Sequence, residues 1–165
     1  MESEAGPTLP GKPVKQSQAE YSELALPNDV NPLGNLLGGK VMHLVDLAGA
    51  IAATRHARTA VVTASVDHMS FIHPIHIGQL IRLQASVNRV FRTSMEVGVK
   101  VLVEDLVTGA LKHTSSAYLT FVALDKAGHR IVIPPAIPET EEELRRFAAA
   151  GQRREYRLAN RQKAY

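Results

Sequence analysis

One carboxylate lies in an apolar stretch of the chain, with no charged neighbour within a helical turn on either side. This residue, Asp46, belongs to the segment NPLGNLLGGKVMHLVDLAGA at positions 31–50. An ionised carboxylate among apolar side chains is costly unless it is paired, neutralised or used in a reaction. Asp46 is therefore either a hydrogen-bonded structural acid or part of a site, where a carboxylate serves as general base or nucleophile.

Two glycines and one amide side chain precede Asp46 and favour the functional interpretation. Gly38 and Gly39 lie where a helix begins, so their backbone N–H groups are unobstructed and lie at the positive end of the helix dipole. Such an array of donors can hold an oxyanion. Asn31, at the far end of the turn, adds a neutral amide that can polarise a carbonyl group or hold a water molecule.

The residues after this turn predict one helix that carries Asp46. From about residue 37 or 38 to about residue 56, apolar side chains recur at helical spacing, namely Val41, Leu44, Val45, Ala48, Ile51 and Ala52. Most of the helix circumference is apolar, which predicts a helix wrapped by other elements.

Strands are predicted on both sides of this helix. A short first strand is expected within 18–26, and four later stretches have β character, namely 60–71, 79–90, 94–105 and 110–125. Long antiparallel strands and one buried helix predict an α+β fold in which the sheet curls around the helix. The proline-rich segment 134–139 ends the sheet, and Thr140 can cap a final charged helix that runs to roughly Asn160.

Length and composition set the class of protein. The 165 residues suit one domain, and 45% hydrophobic with 21% charged residues is the balance of a soluble globular protein. The absence of cysteine excludes disulfides, thiolate metal sites and cysteine nucleophiles. No window is apolar enough for a membrane span, and residues 1–18 indicate a disordered leader and not a signal peptide, so a cytoplasmic location is the default expectation.

Basic residues and histidines give weaker signals. Seven Lys and Arg residues crowd positions 145–165, where they could bind a phosphate-bearing ligand or nucleic acid, or form a solvated helix face paired with glutamates. Seven histidines do not predict a metal site. Pro74 makes the HPIH stretch extended, so His73 and His76 face opposite ways.

These features together resemble a known family. The stretches NPLGNLLGG and KVMHLVDLAGAIAATRH are similar to the Asn-x-x-Gly-x-x-x-Gly-Gly and Asp-x-Gly/Ala-Gly pattern of the acyl-CoA thioesterases, in the group of YciA and brain acyl-CoA hydrolase. The likeness continues through RTSMEVGVKV and TGALKHTSSAYLTFVALD and covers about residues 20–137. It implies a hotdog fold at 19–137, a C-terminal basic helix or tail at 138–165, and hydrolysis of acyl-CoA to a free carboxylic acid and coenzyme A, a reaction of fatty acid metabolism.

The resemblance also implies roles for particular residues. Asn31 and Asp46 would form the catalytic pair and would come from opposite protomers of a double-hotdog homodimer. Asp46 would act as general base on water, or attack the thioester directly. Gly39 would donate its N–H to the thioester oxygen.

Coenzyme A is rich in phosphate, and the resemblance implies a loop that meets it. Arg92, Thr93 and Ser94 match a loop that the family places between two strands, although an ordinary polar turn explains the same residues. No cofactor is expected beyond the coenzyme A of the substrate. The expected assembly is a hexamer built as a trimer of dimers, without a nucleic-acid or membrane partner.

Two other functions are open on the same fold. An enoyl-CoA hydratase is disfavoured because the hydratases compared have a His five residues after the catalytic Asp, where this chain has Ile51. A non-catalytic acyl-CoA-binding sensor would not need Asp46. A nucleic-acid binder is the weakest alternative, since aromatic residues are only 5% of the chain.

Overall fold

A computed structural model describes residues 9–161 as one long helix packed against a five-stranded antiparallel sheet. The elements in chain order are β1 (Lys12–Pro13), β2 (Ala19–Leu24), α1 (Gly38–Ala57), β3 (Ala60–Val66), β4 (Leu80–Phe91), β5 (Ser94–Glu104), β6 (Leu111–Leu124), β7 (Ala136–Ile137) and α2 (Glu141–Arg161). The expected α+β arrangement is confirmed, although the strand predicted at 60–71 ends at Val66.

The large sheet has the strand order β2-β4-β5-β6-β3, so β2 and β3 are its edges. One sheet face packs against α1 through the alternate residues of the central strands. Gly49 of α1 lies so close to this face that an added Cβ would be 3.1 Å from the ring of Phe121. The small residues in the second half of α1 therefore bring the helix close to the sheet.

The curved sheet wraps α1 as expected, and within the protomer it leaves one face of the helix open. The sheet covers Val41, Leu44 and Ala48, while Met42 on the other face is 47% exposed. The reason is geometric, because a single curved sheet covers one side of a helix. The apolar residues on the open face need a second surface to cover them.

Part of the expected leader is ordered. Val14 and Ser17 lie in a single turn of 3₁₀ helix, and both are buried. The Ser17 hydroxyl donates to the carbonyl of Val14 and accepts a hydrogen bond from the Val87 amide of β4 at 2.9 Å. This buried polar contact attaches residues 12–17 to the sheet, while residues 1–8 of the expected leader lie outside the described residues.

Helix α2 begins at the predicted cap and crosses the sheet face opposite α1. The Thr140 hydroxyl accepts a hydrogen bond from the amide of Glu143, and the Glu143 carboxylate accepts one from the amide of Thr140. This reciprocal pair is a capping box. Across residues 9–161, neither helix combines the length and hydropathy needed to cross a membrane.

Candidate active site

Asp46 is at the middle of the open face of α1 and is half-exposed in the protomer. The hydroxyl of Thr63, on β3, donates to its Oδ1 at 2.6 Å. Among residues 9–161 no partner is found for Oδ2. The carboxylate is therefore oriented through one oxygen, and the other is available to a water molecule or a substrate. A buried charge, which the sequence predicted, is not present in the single protomer.

Thr63 is a functional candidate that the sequence analysis missed. It lies opposite Phe121 in the β3–β6 pairing, on the sheet face that packs against α1, and the register shifts between Thr63 and Ser65. The sequence signal was a hydroxyl residue, Thr63, within the strand-forming run VVTASV, which also contains Ser65. That signal is weak, because threonine is common in strands for reasons of packing alone.

Asn31 is held by the turn that precedes α1. Its Oδ1 accepts hydrogen bonds from the amides of Leu33 at 2.9 Å and Asn35 at 3.1 Å. Gly34 has φ of +80°, a left-handed conformation that glycine adopts without strain, and its amide donates to the Asn31 carbonyl. With its oxygen engaged in this way, Asn31 presents its side-chain NH₂ as a donor.

The start of α1 leaves backbone donors free. The amides of Lys40 and Val41 both donate to the carbonyl of Leu37, and no acceptor is found among residues 9–161 for the amides of Gly38 and Gly39. A Cβ added to Gly39 would meet nothing within 4 Å. Backbone N–H groups left without an acceptor at a helix start can hold an oxyanion, which is the role that the resemblance implied for Gly39.

A cavity of about 340 Å³ adjoins the same end of α1. Its walls include Gly38, Val41, Phe71, Ile75 and Thr114, together with the amide of Asn35. The Asn35 Oδ1 is buried and lacks a partner among the described residues. This mostly apolar space lies beside the free amides of the helix start.

The Arg92–Thr93–Ser94 segment lies far from Gly39 within one protomer. It forms the tight hairpin between β4 and β5, where the Arg92 carbonyl accepts a hydrogen bond from the Ile133 amide. The next residue, Pro134, accepts one from His56 near the C-terminal end of α1. Gly39 and His56 are about 25 Å apart along the helix. The Arg92 side chain is exposed and free to meet a ligand.

The arginines of α2 divide into two groups. Arg145 and Arg146 lie near Glu142 on the helix surface, as the solvated-face interpretation predicted. Arg153 and Arg157 instead face the sheet, where they pair with Glu96 and Asp67. No cluster of three or more His, Asp or Glu side chains suited to a metal ion is found in the part of the chain that the structure describes.

The chain is similar to acyl-CoA hydrolases in sequence and structure. The model of the thioesterase superfamily matches residues 33–110. A Bacillus subtilis (strain 168) protein named "Uncharacterized acyl-CoA thioester hydrolase YkhA" is 40% identical over 139 residues, which is 84% of this chain and 81% of that protein. The structure of a hexameric acyl-CoA thioesterase is 39% identical, with a TM-score of 0.89, and covers 92% of this chain and 97% of its own.

A Staphylococcus aureus acyl-CoA hydrolase, solved with butyryl coenzyme A, coenzyme A and coenzyme A disulfide, is 34% identical with a TM-score of 0.88 over 94% of both chains. Structures of that enzyme with one Asp, one Asn or one Thr replaced by Ala are also similar. Sequence identity over most of both chains, together with the common hotdog fold, shows that this chain belongs to the acyl-CoA thioester hydrolases of the thioesterase superfamily.

Proposed function

We propose that the protein hydrolyses acyl-CoA to a free carboxylic acid and coenzyme A, with Asp46 as general base. The observation that carries this proposal is the Asp46 carboxylate, which Thr63 orients through one oxygen, while the other has no partner within the described part of the chain. In the S. aureus hydrolase, the three substituted positions are 15 and 17 residues apart. Asn31, Asp46 and Thr63 have the same spacing in this chain.

The reaction needs only groups of the chain and one water molecule. The amide of Gly39 donates to the thioester oxygen, and Asp46 accepts a proton from water as the water oxygen bonds to the carbonyl carbon. The carbon–sulfur bond then breaks, and the coenzyme A thiolate takes up the proton. Direct attack by Asp46 would use the same free oxygen, so it remains the alternative. No cofactor enters this scheme.

Asn31 reaches the site from a second copy of the chain. This assignment is supported by two features around Asp46: the open face of α1 and the unpaired edge of β3. An exposed strand edge is a template for pairing with another strand. A homodimer formed here would cover Met42 and Asp46 and would place two sites at the interface. Similar thioesterases form hexamers, which supports an assembly of three such dimers.

The remaining substrate contacts follow from this arrangement. The cavity beside Gly38 is apolar enough for an acyl chain. The small residues Gly49, Ala52 and Ala53 of α1 are buried in the core. Arg92, Thr93 and Ser94 are assigned to the phosphates of coenzyme A. A cytoplasmic location and the division at residues 18 and 137 stay predictions.

The test is release of free thiol from acyl-CoAs of increasing chain length. Asp46→Asn is expected to lower kcat by at least about a hundredfold, because the amide cannot accept the proton from water. Asn31→Ala is expected to lower kcat/KM through loss of its donor. The matched controls are Glu155→Gln and Asn28→Ala, which change exposed residues outside the site. Full activity of Asp46→Asn, or an inactive wild type at every chain length, would contradict the proposal.

A further inference from the structure

Helix α2 is attached to the outer face of the sheet by charged contacts at well-defined positions. Arg157 donates to Asp67, the residue that follows β3, at 2.7 Å, and lies 3.6 Å from Glu96 of β5. The side chains of Arg157 and Asp67 are 23% and 18% exposed. An ion pair that is mostly shielded from water keeps its geometry better than an exposed surface pair.

The centre of this attachment is the fully buried carboxylate of Glu96. Arg153 binds both of its oxygens, at 2.6 and 3.0 Å, and the Asn88 amide donates to one of them at 2.9 Å. The guanidinium of Arg153 also stacks over the ring of Tyr118, 3.6 Å from its centroid. Both described cations that pair with Glu96 belong to α2. A buried carboxylate is destabilising without its partners, so these pairs favour a single position of the helix on the sheet.

Strand β3 presents Thr63 to one sheet face and Asp67 to the other. In a regular strand, residues four apart lie on the same face. The register shift between Thr63 and Ser65 adds one residue, Ala64, to β3. The bulge reverses the alternation, so that Thr63 contacts Asp46 on the α1 side and Asp67 contacts Arg157 on the α2 side.

We infer that α2 positions the active site: the Arg157–Asp67 pair holds the end of β3, and thereby holds Thr63 against Asp46. This inference rests on the proposed function, since it gives Thr63 the task of orienting the catalytic carboxylate. Arg157 contacts Asp67 and Glu96 and would act on Asp46 only through β3, so it is a positioning residue.

Within one protomer, β3 is attached to the rest of the sheet on one side. Among the strands of residues 9–161, β3 pairs only with β6, and the Thr63 side chain is exposed. Beyond the bulge, the amide of Asp67 donates to the carbonyl of Tyr118 at 2.8 Å. Tyr118 belongs to β6, the neighbour of β3, and Arg153 stacks on its ring. Helix α2 therefore holds both strands at the same level of the sheet.

The test compares Arg157→Ala in two backgrounds, the wild type and Thr63→Val. In the wild type we expect kcat to fall about tenfold, with KM within about twofold, because a displaced Thr63 leaves the carboxylate less well oriented. In Thr63→Val the same change should cause no further loss, since the hydrogen bond is already absent. Arg157→Lys should restore part of kcat. Arg153 still pairs with Glu96 in both variants, so the buried acid keeps a counter-charge.

Hydrogen exchange of the amides of residues 63–70 gives a readout that does not depend on activity. Exchange there should increase in Arg157→Ala and stay at the wild-type rate in Arg145→Ala, whose side chain is 73% exposed. Unchanged exchange in Arg157→Ala, or a tenfold loss of kcat that recurs in Thr63→Val, would overturn the inference. An inactive wild type would refute the proposed function instead, while exchange would still show whether the pair holds β3.

Discussion

The imidazole of His56 is buried near the C-terminal end of α1, and a hydrogen bond holds one of its two nitrogens. Its Nε2 donates to the carbonyl of Pro134 at 2.7 Å. Its Nδ1 is buried and lacks a partner among residues 9–161. Burial lowers the pKa of His56 below the ordinary value of 6.5, because a second proton would add an unpaired charge there.

This lowered pKa predicts the pH dependence of stability. The unfolded chain takes up a proton on His56 below pH 6.5, whereas the folded protein resists it. The contribution of His56 is therefore complete above that pH and is lost as the pH falls from 6.5 toward the lowered folded pKa. The melting temperature, followed between about pH 7.5 and 5, should fall less steeply in His56→Gln than in the wild type.

His129→Gln is the matched control, since His129 lies on an exposed turn beside Asp125. Its melting temperature should follow the wild-type slope. If His56→Gln follows that slope as well, the buried imidazole is not the source of the pH dependence.

At the scale of elements, the first turn of α1 combines a structural necessity with the proposed oxyanion-binding role. Every helix leaves its first amides without acceptors inside the helix. Here the first two residues are glycines, and no side chain among residues 9–161 caps the helix start. Gly39 and Asp46 lie on the same face of α1. The Gly39 amide and the Asp46 carboxylate are therefore held by one rigid element.

Replacing Gly39 by proline tests the amide donor. Proline is tolerated in the first turn of a helix, and it removes the N–H that the thioester oxygen would use. We expect kcat to fall about a hundredfold, because one oxyanion donor contributes about 3 kcal/mol. Gly39→Ala keeps the N–H and adds a Cβ to open space, so it should lose far less. Equal losses in the two variants, measured by thiol release, would remove Gly39 from the oxyanion site.

At the scale of the whole molecule, the protomer leaves the face that carries Asp46 uncovered. Asp46 and Met42 lie on an open face beside an unpaired strand edge. In a two-fold dimer, the same surface patch of each copy contacts the other copy. Such a dimer would therefore cover this face of α1 in both protomers. The proposed sharing of Asn31 and Asp46 between protomers follows from such a dimer.

Mixed oligomers of two inactive variants test the shared site. In a dimer of one Asn31→Ala copy and one Asp46→Asn copy, one site receives both substitutions and the other receives none. Random mixing by co-expression should therefore restore about a quarter of wild-type thiol release. If the site lies within one protomer, both sites stay impaired, and the mixture has only the mean activity of the separate variants.

The sequence by itself determined the local features of this protein. Helix α1 was predictable because its apolar residues recur at helical spacing, and the α2 cap because Thr140 and Glu143 are three residues apart. Asn31, Gly39 and Asp46 were recognisable because they lie close together in the chain and resemble a family pattern. These signals depend on short stretches of sequence.

Only the tertiary structure decided which distant residues meet. Asp46 lies on α1 and Thr63 lies on β3, beside the bulge of that strand. Their contact depends on how the strand packs against the helix, which no local sequence pattern encodes. Likewise, the charge run of α2 was compatible with a solvated surface until Arg153 and Arg157 were found against the buried Glu96. Side-chain pairing between elements depends on their packing, which is set by the whole core.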